Sequence, residues 1–509
     1  MRRAAVKRIG RASSSRWAWL AAGLALGPGV PSIARAVETE VEASADAQFY
    51  TLRSPYGDPL VRRRRYTQTL GLGVYGLDGG GWDPRAPELT FRARLRMDAD
   101  YGQERAERDP ALDGRFVPGL ALMPIDLMTA YLEGRRYLGG WLGFRLGRQY
   151  VTDALGWWAF DGALARVETT AYVTVEAYGG FEERGGLPMM ATPRWEADGV
   201  YRGSRVGLDE SQYPAYLSES KLAPAYGLAL ESAGLSWLRA RATYRRVVNR
   251  DTVTVSPLGP SAGPVETVSG SRVSTERAGV ALRADAPGLG GASASVVYDL
   301  YAELVSELDA SLDVAATERL TLGADYDYYR PTFDADSIFN WFSHAGTTRA
   351  QGRVSLELTR RLELAAAGGA QVFDVESAPD ASEPGGGAGA ARLVDGLGSL
   401  SGLYRWSDGS LRLMTLAELG ERGHRAGADV STRKTFASGF YDTLGILSLY
   451  DWSDATRPTR DATSFSYVLG GGFHPGEGAR IGVEWEHSVN RLSGQRFRVL
   501  ATLDLTVLR

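Results

Sequence analysis

From Val37 onward the chain alternates apolar and polar side chains, and this period of two limits its fold more than any other feature. Over residues 37–51 the odd positions hold Val37, Thr39, Val41, Ala43, Ala45, Ala47 and Phe49. The even positions hold Glu38, Glu40, Glu42, Ser44, Asp46, Gln48 and Tyr50. Such a stretch is a strand with one apolar and one polar face. Residues 89–101 repeat it, with Leu89, Phe91, Ala93, Leu95, Met97 and Ala99 against Thr90, Arg92, Arg94, Arg96, Asp98 and Asp100. Residues 496–507 do so again, with Phe497, Val499, Ala501 and Leu503 against Arg496, Arg498, Thr502 and Asp504. Comparable stretches lie near 66–76, 141–150, 171–182, 235–248, 276–285, 292–302, 306–316, 320–329, 353–360, 362–375, 411–420, 463–473 and 480–490, with weaker ones near 121–134, 160–168, 224–231 and 393–406. Helical periodicity is absent after the first 36 residues.

The length of these stretches separates two all-β classes. Strands of soluble proteins average about five or six residues. Many here run ten to fifteen, enough for a tilted strand to cross a bilayer. The connections alternate too. Short turns at Gly139-Gly140, 232–234, 287–291, Arg360-Arg361 and 407–409 interleave with long polar loops near 102–120, 183–223, 249–271, 330–348, 376–391 and 421–462. Short turns on one rim and long loops on the other are the topology of outer-membrane barrels. The expected fold is therefore all-β: a single transmembrane antiparallel β-barrel with an even strand number, about 18–20. The count reaches 20 when 292–316 is a tight hairpin and 421–462 one long loop. Other groupings give 18 or 22.

Residues 1–36 have a different character. Arg2, Arg3, Lys7, Arg8, Arg11 and Arg16 precede an apolar run from Trp17 to Leu26. Pro28, Gly29 and Pro31 follow, and Ala34-Arg35-Ala36 supplies small residues for cleavage. This is the layout of a secretory signal peptide. It divides the chain into a cleaved leader, 1–36, and a barrel, 37–509, in the cell outer membrane. Removing the leader's seven cations leaves 50 Lys and Arg against 61 Asp and Glu, a net charge near −11. There is no cysteine among the 509 residues, which excludes disulfides, thiolate metal sites and a lipidated N-terminus.

If the apolar face meets lipid, the polar face lines a lumen. Its basic rows are Arg92, Arg94 and Arg96; Arg239, Arg241 and Arg245; Arg277 and Arg283; and Arg496 and Arg498. Its acids include Asp98, Glu303, Glu357, Glu484 and Glu486. Closure would bring the first and last strands together and set Glu38–Glu42 beside Arg496 and Arg498. A row of arginines in a narrow lumen focuses the field on anions, whereas neutralised wall charges would not. Loop 183–223, with Pro188, Met189, Met190, Trp195 and Tyr213, is a candidate constriction or an outer cap.

One hairpin carries a family likeness. Arg145-Leu146-Gly147-Arg148-Gln149, followed by Phe160-Asp161-Gly162, resembles the R-x-G-R-Q…F-D-G hairpin of Gram-negative outer-membrane porins, including the alginate-export type. The resemblance implies a porin-like barrel in which Arg145, Arg148 and Gln149 line the channel. Alternation puts Arg145 and Gln149 inward and Arg148 outward. The chain ends in Leu508-Arg509, not in the terminal aromatic common to such barrels.

The function expected is a porin for small hydrophilic solutes, anionic ones among them. The pore-lining candidates are Arg92, Arg94, Arg96, Asp98, Arg145, Gln149, Arg239, Arg241, Arg245, Glu484, Arg496 and Arg498. Expected partners are outer-membrane lipid, lipopolysaccharide and the barrel-assembly machinery, with no nucleic acid, cofactor or metal. The alternative is a barrel whose outer loops carry an enzymatic or adhesive role. Other matches carry little. Gly71-Leu72-Gly73-Val74-Tyr75-Gly76 fits a dinucleotide fingerprint but lies within a strand with no helix after it. Gly259-Pro260-Ser261-Ala262-Gly263 lacks the strand–turn–helix of a nucleophile elbow. Asp325, Asp327, Asp334 and Asp336 fall near one loop, where hydrated acids are commoner than a calcium site. A barrel lipase would need a serine, a histidine and an acid converging at the outer rim. The four histidines, His344, His424, His474 and His487, are too scattered to assemble that set from sequence, and His487 falls on the lipid-facing side.

Overall fold

A computed structural model describes residues 37–78, 86–100, 125–183, 223–249, 253–255, 266–268, 270–332, 345–376, 390–455, 461–492 and 494–508. The strands begin with β1 (Glu38–Arg53), β2 (Pro59–Tyr75), β3 (Glu88–Asp100), β4 (Ile125–Arg136), β5 (Leu142–Asp153), β6 (Gly156–Glu168), β7 (Val173–Glu182) and β8 (Pro224–Ser232). They continue with β9 (Leu238–Asn249), β10 (Val253–Val255), β11 (Glu266–Val268), β12 (Arg272–Ala286), β13 (Gly290–Asp299), β14 (Leu304–Ala315), β15 (Leu320–Tyr329) and β16 (Thr347–Thr359). The last are β17 (Leu362–Glu376), β18 (Ala390–Trp406), β19 (Gly409–Gly420), β20 (Gly423–Phe436), β21 (Tyr441–Asp454), β22 (Ala462–Gly476), β23 (Ala479–Asn490) and β24 (Gly494–Leu508).

Twenty-two of these strands form one antiparallel sheet, and β1 pairs with both β2 and β24, so the sheet closes on itself. The small β10–β11 ribbon stands apart. The all-β closed antiparallel barrel read from the sequence is thus the observed fold. The count differs from the expected 18–20 because 421–462 is not one long loop but holds the β20–β21 hairpin. Residues 292–316 do fold as a tight hairpin, β13–β14. Residues 1–36, read as a leader, and 184–222, nearly all of the candidate constriction loop, lie outside the described residues. So do His344, Asp334, Asp336 and 259–263.

One alternate set of side chains, including Leu72, Leu146, Leu282, Leu400, Leu449 and Leu469, is exposed. The other set holds the charges. A closed barrel leaves no unpaired sheet edge, so this sheet spans a membrane with its apolar set outward and its polar set around the lumen. His487 falls on the outer face with Trp485, stacked on Phe497 with ring centroids 4.2 Å apart. At closure Glu40 stands opposite Leu508 and Glu42 opposite Thr506, while Arg498 meets Tyr50 and Arg496 meets Leu52. The expected pairing of Glu38–Glu42 with these arginines does not form. Antiparallel register sends the start of β1 to the end of β24, so acids and arginines sit at opposite rims.

Candidate functional site

Twenty-two strands enclose a lumen wide enough to need narrowing, and the chain narrows it with its own wall. β5 pairs with β4 only from Phe144 to Arg148, and β6 pairs with β7 only from Phe160 downward. Above that level the ladder runs only between β5 and β6, up to the Asp153–Gly156 turn, with a single further backbone bond from Glu183 N–H to the Ala159 carbonyl at 3.0 Å. This free ribbon leans across the inner wall. The Nη2 of Arg245 on β9 donates to the Leu155 carbonyl at 3.0 Å, and its guanidinium lies 5.2 Å from the Trp158 ring centroid. A Cβ built on Gly279 of β12 would stand 3.2 Å from that of Ala154. The tip therefore reaches the fourth strand beyond β6.

Apolar side chains hold the ribbon there. Val151, Trp158, Phe160, Leu164, Tyr178, Ala225 and Val247 form one buried cluster with Ala223. The Trp158 and Phe160 rings stack at 4.6 Å, and both lie 5.5 Å from Tyr178. Burying such rings is favourable by about 1.5–3 kcal/mol each, which makes this a small core inside the lumen.

The hairpin motif builds the bend. Gly147 has φ +121°, and a Cβ there would run into the Ala130 carbonyl. Gly162 and Gly180 face each other across β6 and β7 so closely that neither has room for a side chain. Gln149, 1% exposed, donates to the Gly162 carbonyl at 3.2 Å. It therefore does not line the channel as the resemblance implied. Arg148 shares the outward parity of Leu146 and Tyr150 and is buried against Asp161, Glu183 and the Leu127 carbonyl. Only Arg145 faces the lumen, bound to Glu133 at 2.8 Å. Gly147→Ala should cost about 1–3 kcal/mol, read as a lower urea midpoint of the refolded barrel. Gly143→Ala, where a Cβ meets only ordinary contacts, is the control, and equal midpoints would remove the tight approach at Gly147.

Below the ribbon the inner wall is charged. Arg241 bridges Glu176 at 2.6 Å and Glu231 at 3.0 Å, and Arg166 joins Glu231 at 3.2 Å. Arg239 is exposed beside a recess of about 340 Å³ that Arg283, Asp309, Asp325 and Asp327 also line. Asp325 and Asp327 thus belong to strand β15, not to a loop, and Asp325 pairs with Arg353. Across the barrel Arg92, Arg94 and Arg96 share the inner face of β3, opposite Gly73, Gly71 and Thr69. Arg92 lies 5.3 Å from the Tyr75 ring centroid. Asp98 stands opposite Thr67 in the same register. Arg496 and Arg498 both pair with Glu486. Glu484 lines a second recess near the short-turn rim with Arg433, Lys434 and Arg480. Among the described residues Arg94 and Arg239 carry no ion pair, and no three His, Asp or Glu side chains are grouped to hold a metal.

Arg245, predicted as pore-lining, is instead 7% exposed beneath the ribbon. Sequence reasoning missed the ribbon's anchors Trp158 and Tyr178 and the carboxylates Glu133, Glu176 and Glu231 that neutralise the arginines. The acids share the arginines' parity, but only the strand register shows that they are neighbours.

No protein-family model matches the chain, and no curated protein matches it in sequence. Solved structures resemble it in outline. OccAB1 of Acinetobacter baumannii is 9% identical at a TM-score of 0.41, with 92% of this chain and 96% of that one covered. The outer membrane protein OpdK of Pseudomonas aeruginosa, a structure of which was determined with vanillate, is 10% identical at 0.39, with 92% and 99% covered. OccK7 (OpdD) of the same organism is 9% identical at 0.38, with 92% and 99% covered.

Proposed function

We propose that the chain is an outer-membrane channel for passive diffusion of small hydrophilic solutes, with anions favoured. Residues 1–36 direct its export, and it sits among outer-membrane lipid and lipopolysaccharide after insertion by the barrel-assembly machinery. The observation that carries the reading is the ribbon of β5 and β6, which narrows a polar lumen above the arginine row of β9. Arg94 and Arg239, with no ion pair among the described residues and open to that lumen, supply positive potential where low-dielectric walls strengthen it. Of the hairpin residues that carry the likeness to alginate-export porins, Arg148 and Gln149 are engaged in packing and Arg145 alone faces the lumen, neutralised by Glu133.

Planar-bilayer recording of the refolded protein tests this. Steady single-channel openings with an anion-favouring reversal potential in a salt gradient are expected. Replacing Arg92, Arg94, Arg96 and Arg239 by Gln should move the preference toward cations. A sealed bilayer would overturn the channel, and an unchanged reversal potential would overturn the arginines' part in it.

A further inference from the structure

The strands that the sequence hid, β20 and β21, bring together three side chains that the lumen does not use. His424 stands directly opposite Ser453, and Ala426, two residues on from His424, stands opposite Asp451. Ser453 Oγ lies 2.7 Å from His424 Nδ1, and His424 Nε2 lies 2.8 Å from Asp451 Oδ2. Thr463 on β22 donates to the other carboxylate oxygen at 2.7 Å. The imidazole therefore gives its Nε2 proton to Asp451 and keeps a lone pair on Nδ1 for the serine hydroxyl. The two ring nitrogens are exchanged relative to the familiar proteases, but the roles are the same: a hydroxyl on a base, and the base oriented by a carboxylate.

Position gives this set its chemistry. His424, Asp451 and Ser453 share the outer-face parity of Val430, Leu447 and Leu449, all exposed. They lie at the long-loop ends of their strands, one residue in from the Gly423–Asp454 pair. An apolar strip starts at Leu419, level with His424, and continues below the set through Leu449, Phe465 and Leu447 past the small Ala426 and Ala428. The other His–Asp contact differs. At the opposite rim His474 shares Asp442 with Arg480, an ion-pair cluster with no serine in it.

We propose that Ser453, His424 and Asp451 form a serine-hydrolase centre that cleaves carboxylic esters of acylated outer-leaflet lipid. The acyl chain lies along the apolar strip, which brings its ester to the boundary between tails and polar heads where Ser453 stands. Ser453 Oγ attacks the carbonyl carbon as its proton passes to His424 Nδ1. The alkoxy C–O bond breaks, and the leaving oxygen takes that proton, giving a free alcohol and an acyl-serine. Water, deprotonated by the same nitrogen, then releases the fatty acid and returns the proton to Ser453. This inference does not rest on the channel reading.

The test uses the refolded full-length chain in phosphatidylethanolamine vesicles, with and without lipopolysaccharide. Fatty-acid release is measured, and labelling by an alkyl fluorophosphonate is located by mass spectrometry. The label is expected on Ser453, with release lost in Ser453→Ala and reduced about 10²- to 10⁴-fold in His424→Gln. Heat-modifiable migration and conductance of both variants should match the parent, which shows that they fold. Release from phospholipid alone assigns glycerophospholipid esters, and release that requires lipopolysaccharide assigns its acyl esters. An unlabelled Ser453, no release from either vesicle, or release that survives Ser453→Ala would each overturn the proposal.

Discussion

Replacing Arg148 by alanine should destabilise the refolded barrel by about 3 kcal/mol, the lower end of the cost of breaking a buried ion pair. Its side chain is 4% exposed and makes two bonds to Asp161, at 2.8 and 2.7 Å, and one to Glu183 at 2.8 Å. A further 3.0 Å bond reaches the Leu127 carbonyl, where β5 parts from β4 and a sheet acceptor would otherwise go unmet. Alanine removes the cation that Asp161 and Glu183 share on the lipid side of the wall, and the donor that meets that carbonyl. Asp161 keeps 39% of its side chain exposed, which sets the estimate at the lower end. Arg148→Lys should recover only part of the loss, because an ammonium cannot fork onto Asp161. The measurement is the urea midpoint in detergent. A loss within about 0.5 kcal/mol, as for an exposed ion pair, would show that the site is open to water.

Alternation was enough to read the barrel, because the lipid and lumen faces impose opposite polarity at every second residue. It failed at β20 and β21 for a physical reason. The outer face of β20 holds His424, Ala426, Ala428, Val430, Thr432 and Lys434, and β21 adds Thr443, Gly445, Asp451 and Ser453. Small and polar residues there flatten the contrast that identifies a strand, so alternation alone does not mark these two strands. The same loss hid the Ser453–His424–Asp451 set, since residues 27 and 29 positions apart meet only through the β20–β21 register. The ribbon of β5 and β6 was hidden differently. Val151, Trp158, Phe160 and Leu164 are apolar side chains on the lumen side, where the barrel rule asks for polar ones. That reversal is a mark of a strand leaving the wall to pack on its neighbours, and it stands in the sequence at Phe160, inside the motif whose resemblance implies channel lining.

Removing the phenyl ring of Phe160 should open the channel. The side chain is 0% exposed at the centre of the ribbon's cluster, and Phe→Ala in such a site costs about 3–5 kcal/mol. The barrel wall does not depend on that cluster, because β4–β5 and β6–β7 remain paired below the bend. The loss therefore falls on the ribbon's attachment, and 3 kcal/mol shifts its docked-to-released ratio by roughly a hundredfold. Phe160→Ala should keep the parent's β-sheet circular dichroism and heat-modifiable migration while single-channel conductance and current noise rise. A reversible lock can separate release from general loosening. The chain has no cysteine, so Ala154→Cys with Gly279→Cys introduces a single pair, and their Cβ atoms would stand 3.2 Å apart, close to the span that a disulfide needs. Oxidising this pair in the Phe160→Ala background should return the conductance to the parent level, and dithiothreitol should raise it again. If conductance follows neither the phenyl ring nor the disulfide, the ribbon is not what narrows the lumen.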